Sequence, residues 1–264
     1  MPDLIRLEYR NVTMRFPQDG GQTMTAVQDV NIAVRDGEVV SLIGPSGCGK
    51  STLLNIGSGL AAPSEGQAFV DGERVEGPNA HVAFMLQKDL LLPWRTIAEN
   101  VMFGVEIQGV PTTERKRRAQ TLLETLKLAD FAKHYPHQLS GGMRQRVALA
   151  RTLAVDPTVL LLDEPFSAVD AQTRITLQQE LAQTLKRAGK TALLITHDLL
   201  EAVTLSDRVL VMSRRPGKII DEITIDIPGR DDPLTRRHDG KIGGYVNHLM
   251  DKLGIGSAEQ QVPA

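Results

Sequence analysis

The chain has 264 residues, of which 41% are hydrophobic and 23% charged, an ordinary globular mixture able to bury a sizeable core. Thirty basic against thirty-two acidic side chains leave a formal charge of -2, which argues against the strong positive field that nucleic-acid binding draws on, so no nucleic-acid partner is expected. No basic segment followed by a long apolar stretch opens the chain, no apolar run approaches the roughly 18 to 20 residues that span a bilayer, and a single cysteine excludes an internal disulfide. The expectation is a soluble cytosolic chain that reaches any membrane through partner proteins.

In chain order, residues 4 to 43 alternate apolar and polar in short runs, with Gly20-Gly21 and Asp36-Gly37 as turns, which predicts antiparallel strands. Glu38 to Ile43 leads as a mostly apolar strand into a glycine-rich loop. Lys50 to Leu60 has helical character, and His81 to Leu86 reads as another strand. From Trp94 to about Gln138 the period becomes helical: Ala119, Leu122, Leu123 and Leu126 share a face, and Thr113 is a cap candidate. A helical subdomain over about 94 to 155 is expected as an insertion.

After Gly142 the order is helix, a strand at Val159 to Leu162, a helix at Ala171 to Ala188, a strand at Thr191 to Ile195, and a helix after His197. That alternation argues for a parallel sheet covered by helices. Lys218 to Ile227 reads as a hairpin strand. In the tail, Ile242, Tyr245, Val246, Leu249 and Leu253 mark an amphipathic helix, which Gly243 and Gly244 weaken by about 1 kcal/mol each. Residues 254 to 264 read as disordered. The expected division is a main domain over 1 to 227 and a tail over 228 to 264.

Gly44-Pro45-Ser46-Gly47-Cys48-Gly49-Lys50-Ser51 matches G-x-x-x-x-G-K-S, with Thr52 after it. The glycines let backbone amides turn inward around phosphate oxygens and aim a helix N-terminus at them. Lys50 is expected to reach the outer phosphates and Ser51 to ligate magnesium. Asp163-Glu164 follows an apolar strand, where carboxylates gather at the open end of a parallel sheet. Such a pair is ordinarily a solvated turn; with the phosphate loop upstream, Asp163 is expected to hold Mg²⁺ through water and Glu164 to polarise the attacking water as general base. Cys48 is either a thiol activated by amide dipoles and Lys50, open to alkylation and protected by ATP, or a small side chain that simply fits.

Leu139-Ser140-Gly141-Gly142 stands about twenty residues before Leu161-Leu162-Asp163-Glu164-Pro165. With this run in place, the chain resembles the ATP-binding subunit of ABC transporters. The resemblance covers residues 4 to about 227 and implies a P-loop α/β fold with an antiparallel β-subdomain and an inserted helical subdomain. It implies a dimer, because the LSGG residues of one subunit cap ATP held by residues 44 to 52 of the other. Met143 replaces the glutamine common after LSGG and leaves the amides of Ser140, Gly141 and Gly142 unaffected. The resemblance also places Gln87 in a loop that senses Mg²⁺ and the lytic water while touching the transmembrane partner, His197 on the γ-phosphate, and Asp170 in a loop that acts across the dimer interface. Phe16 falls where the family sets an aromatic ring against adenine. Without that frame, Gln87 is an exposed polar residue, His197 a structural histidine and Phe16 a core aromatic; Arg115-Lys116-Arg117-Arg118 is a solvated helix face.

Within the family, the run from Gln87 to Val101, with Gly141-Gly142-Met143-Arg144-Gln145-Arg146 and Arg215-Pro216-Gly217-Lys218-Ile219, is similar to the importer ATPases for nitrate, sulfonates and taurine. That subgroup implies a permease as partner, a periplasmic binding protein that delivers the solute, and a peripheral place on the cytoplasmic face of the plasma membrane. The alternatives are an exporter ATPase with a separate permease, and a non-transport ABC ATPase, which usually carries tandem domains or a long coiled-coil insertion.

Overall fold

The computed structural model describes residues 4–167 and 169–255; of the stretch 254 to 264 expected to be disordered, Gly254 and Ile255 instead close the last helix with amides bonded to Asp251 O and Met250 O at 3.1 and 2.9 Å, and 256 to 264 lie outside the described residues. Strands β1 (Ile5–Pro17) and β2 (Thr23–Arg35) pair antiparallel, and β1 also pairs with β4 (Glu65–Val70), which carries the short β5 (Glu73–Arg74) at its edge. A second sheet has the order β10-β9-β3-β8-β7-β6. In it β3 (Val39–Ile43), β6 (Val82–Met85), β7 (Val159–Asp163), β8 (Thr191–Ile195) and β9 (Arg208–Met212) run parallel, while β10 (Ile219–Thr224) is antiparallel. Every residue of β3, β7, β8 and β9 is buried, the pattern of strands covered on both faces.

Alternate residues of these strands feed different cores. Val40, Leu42, Leu161, Leu193 and Ile195 pack with Leu7, Val27 and Val34 of the antiparallel sheet and with Leu53 and Leu54 of helix α1 (Lys50–Gly57). Leu160, Leu162 and Leu194 pack instead with the helices α2 (Ile97–Ile107), α3 (Thr112–Thr125), α4 (Gly141–Ala154) and α5 (Ala171–Arg187). A third cluster joins Val209 and Val211 to α6 (Leu199–Leu205) and α8 (Ile242–Leu253), with α7 (Pro233–Arg236) between them in sequence. Among the described residues no helix is long and apolar enough to cross a membrane.

Two expectations about helices need correction. Thr113 does not cap α3: the helix starts at Thr112 behind Pro111, whose fixed φ suits a helix entry, and no side chain caps it. The first helix stops at Gly57 rather than Leu60, and Gly59 then turns the chain at φ +78, with a Cβ there set 2.2 Å from the carbonyl of Gly77. Strand β4 was not foreseen because Glu65, Gly66 and Gln67 are exposed and only Ala68 and Val70 point inward. Helix α8 forms despite Gly243 and Gly244. Burial of Ile242 and Leu249 and the bond from the Asp226 amide to the Tyr245 hydroxyl, 2.9 Å, offset the lost propensity.

Candidate active site

The loop from Gly44 to Gly49 joins β3 to α1 and is pressed against β2 from behind. Gly49 adopts φ +106, and a Cβ on it would lie 2.3 Å from Val27 Cγ1, so only glycine fits. On the other side Arg215 donates to the Gly47 carbonyl at 2.8 and 3.2 Å. Gly217 next to it pairs with β2, donating to Ala26 O and accepting from the Gln28 amide, both at 2.9 Å. The segment read only as a subgroup marker thus braces the phosphate loop. Lys50 is 8% exposed and its ammonium donates to the carbonyls of Gly44 and Pro45 at 2.7 and 2.9 Å. A cavity of about 470 Å³ opens along Gly44, Pro45 and Ser46, with His197, Leu199 and Leu253 on its far side.

Cys48 is buried, 1% exposed, and packs in the core shared by the two sheets, with Lys50 Nζ 3.7 Å from its sulfur. Of the two readings of Cys48, this burial supports the small side chain that fills a space.

Asp163 ends β7 and is 7% exposed; burial pushes its carboxyl above the usual carboxylate range, against the pull of the Ser51 hydroxyl and Lys50. The Ser51 hydroxyl and the Asp163 carboxyl are hard oxygen donors set together at the loop, the donor type that Mg²⁺ takes. Among the described residues no group of three or more His, Cys, Asp or Glu side chains gathers as a metal cage. When bound with nucleotide, Mg²⁺ neutralises charge on the phosphate oxygens.

Glu164 follows at φ +47 in the turn that leaves the sheet. Gln87, just beyond β6, donates its side-chain amide to Glu164 Oε2 at 2.9 Å. His197 Nδ1, just beyond β8, lies 3.5 Å from the same oxygen. Residues 87, 164 and 197 therefore meet at the ends of three parallel strands, where such sheets place ligands. Gln87 thus stands with Glu164 and His197, and among the described residues no hydrogen bond joins it to Ser51 or Asp163.

The signature run lies elsewhere. Ser140 caps α4 by accepting from the Met143 amide at 3.3 Å, while Leu139 is buried. Among the described residues no hydrogen bond or ion pair joins 139 to 143 to the phosphate loop. Asp170 caps α5 through the Thr173 amide, 3.0 Å, a bond that also lowers its carboxyl pKa. Phe16, near the end of β1, is 37% exposed and is not a core aromatic. Arg117 and Arg118 pair with Glu114 on α3, the solvated face expected of that run.

Several organising residues escaped the sequence. Arg144 of α4 bonds Asp89 at 2.9 Å and Leu139 O at 2.8 Å, and Arg151 donates to the carbonyls of Asp89 and Leu90. Asn100, fully buried, accepts from the Leu92 amide and donates to the carbonyls of Leu92, Arg95 and Thr96. Single polar residues inside helices carry no pattern that marks them. The model of the ABC transporter family matches residues 27–167, more than half of the chain.

The chain belongs to the ABC transporter family. It is similar to the uncharacterized ABC transporter ATP-binding protein MJ0412 of Methanocaldococcus jannaschii, 46% identical over 223 residues that cover 84% of this chain and 83% of that one. It is 44% identical to the taurine import ATP-binding protein TauB of Roseobacter denitrificans, over 81% of this chain and 80% of the relative. A dimeric structure of the ATP-binding cassette MJ0796, in a post-hydrolysis state bound to ADP and Pi, superposes with a TM-score of 0.75 at 33% identity, covering 83% of this chain and 98% of that one. The α/β fold is that of an ABC ATPase cassette, and the enzyme is an ATPase.

Proposed function

We propose that this cassette drives an importer for a small solute of the taurine, sulfonate or nitrate kind, working as a homodimer on a separate membrane permease. The observation that carries this reading is the likeness to taurine import ATP-binding proteins from several bacteria, at 44 to 45% identity over most of the chain. In this reading ATP sits between residues 44 to 52 of one copy and 140 to 143 of its partner. The separation of those two segments within one chain supports it, as does the dimeric form in which the similar cassette MJ0796 was solved. Glu164 acts as general base, with Gln87 and His197 at the γ-phosphate. Phe16 offers its ring to adenine, Asp170 works across the interface, and Ser51, Asp163 and Gln87 face the Mg²⁺ that accompanies ATP.

The main unit spans 1 to 227 with the helical insertion over about 94 to 155, followed by the tail. Leu86, Leu90 and Trp94 are exposed along the segment from 86 to 94 that contains Gln87, and Trp94 is 72% exposed. An apolar surface beside the hydrolytic residues suits a permease that must sense ATP. The cassette then lies on the cytoplasmic face of the plasma membrane, and a periplasmic binding protein supplies the solute.

The test is ATP hydrolysis by the complex with its co-encoded permease in lipid vesicles, with binding protein loaded in turn with taurine, other sulfonates, nitrate or pyrimidines. Stimulation by one loaded ligand supports import and names the solute. Hydrolysis indifferent to every loaded form points to export or to a solute outside this set.

A further inference from the structure

The turn that presents His197 is held from behind by a buried chain of polar side chains. Glu201, in the first turn of α6, is 3% exposed, and its Oε2 accepts from Gln178 Nε2 of α5 at 2.9 Å. The Thr196 hydroxyl lies against the same carboxyl and accepts from the Asp198 amide at 3.0 Å, so it spans the residues on either side of His197. Gln178 is 1% exposed, and its remaining oxygen accepts from Arg237, just beyond α7, at 2.9 Å. Arg236 beside it is buried and donates to the carbonyls of Thr204 and Ser206 at the opposite end of α6, 3.2 and 2.8 Å. A small cavity of about 10 Å³, the size of one water site, touches Glu201, Thr196, Arg174, Asp198, His197 and Glu164.

We propose that Glu201 is a positioning residue for His197, and that Arg237 of the C-terminal segment locks it in place through Gln178. The carboxylate is an acceptor-only group set between two donors, the Gln178 amide and the Thr196 hydroxyl, so it fixes the rotamer of both. Thr196 in turn fixes the Asp198 amide and hence the strand-to-helix turn that aims the imidazole at Glu164. The charged groups around Glu201 are Arg174 of α5, Asp198 at the start of α6, and Glu164 and His197 across the cavity, with Arg237 one residue removed behind Gln178. Burial raises the Glu201 pKa to about 7, so the carboxylate that the arrangement needs forms across the neutral range. The segment after β10 is thereby tied to the catalytic centre, although no motif lies within it. The inference rests on the reading of His197 as the γ-phosphate contact.

Steady-state ATP hydrolysis by the full-length chain between about pH 5.5 and 8.5 tests it. Glu201→Gln keeps the volume but offers a single acceptor oxygen to two donors. Its kcat at about pH 8 should fall about 5-fold or more with KM for ATP within about twofold, because the phosphate loop is untouched. The gap should close towards pH 5.5, where the wild-type carboxyl is itself protonated. Arg237→Ala, on a half-buried surface position, should lower kcat about 2- to 4-fold with the same KM. Wild-type kcat in both variants at pH 8, or a loss in Glu201→Gln that is equal at every pH, overturns the inference. His197→Ala separates the two readings: turnover that survives it overturns the role of His197, and with it the inference. An inactive His197→Ala beside wild-type behaviour of the other two overturns the inference alone.

Discussion

Gln87 donates to Glu164 Oε2 at 2.9 Å although seventy-seven residues separate them in sequence. His197 Nδ1 stands 3.5 Å from the same oxygen. That oxygen keeps a second lone pair and Oε1 is not bonded to Gln87, so the carboxylate can accept a water while Gln87 holds it, which links it to the surface that Leu86, Leu90 and Trp94 expose. If Glu164 is the general base proposed above, Glu164→Gln should slow hydrolysis about 10² to 10⁴-fold while ATP affinity is kept. Single-turnover hydrolysis and nucleotide-binding titrations of Glu164→Gln give the answer, and near-normal turnover removes Glu164 as base. Gln87→Ala, which frees the same oxygen, should change basal turnover by less than about 10-fold.

The accessibility of Cys48 yields a sharper expectation than its chemistry does. With the side chain 1% exposed between the two sheets, native labelling by a maleimide should be slower than labelling in denaturant by about 100-fold or more, since only opened molecules react. Mass spectrometry over a time course measures both rates. Rapid native labelling would show that the loop opens at little free-energy cost.

Glycine spacing and uninterrupted apolar strands made the phosphate loop, Asp163-Glu164 and the parallel sheet legible in the sequence; the strand Thr191–Ile195 has the expected bounds. Their signals are local, because backbone amides must converge on phosphate within one turn and because strands covered on both faces read as apolar runs. Strand β4 was hidden, since its first half is solvent-exposed and polar. The residues that hold the site together, Asp89 with Arg144, Asn100, and Glu201 with Gln178, were illegible for a different reason. Each is one polar side chain whose partner lies on another element, and nothing in the spacing of either announces the pair. The tail helix fell between these cases: its apolar face was visible, but its attachment to α6 was not.

Asn100 illustrates what such a residue carries. All of its polar atoms are used: Oδ1 accepts from the Leu92 amide at 2.7 Å, and Nδ2 donates to three carbonyls at 3.0 to 3.1 Å. Asn100→Ala strands a buried amide and loosens the loop of residues 92 to 96, at a cost of about 3 kcal/mol. Urea unfolding monitored by circular dichroism should show that loss. The variant should also weaken coupling to the permease before it weakens nucleotide binding, because Trp94 sits on the same loop. A stability change within about 0.5 kcal/mol of wild type would mean that water replaces the side chain fully.

Glu201 gives the pH dependence of folding a definite sign. Burial is the main cause that lifts its pKa from 4.5 to about 7, opposed by Thr196 and Gln178. The folded value lies above the unfolded one, so this group favours folding fully below about pH 4.5, and that contribution is lost as pH rises through about 7. The full loss is about 3 kcal/mol on going from acid to alkaline solution. Glu201→Gln has no carboxyl to ionise, so its stability relative to wild type should improve by about 2 kcal/mol between pH 5 and pH 8. Urea midpoints of both proteins at the two pH values measure this difference, and a gap that stays constant would place the titration elsewhere. An improvement in stability together with slower turnover would show a carboxylate kept at the expense of folding because the turn bearing His197 needs an acceptor there.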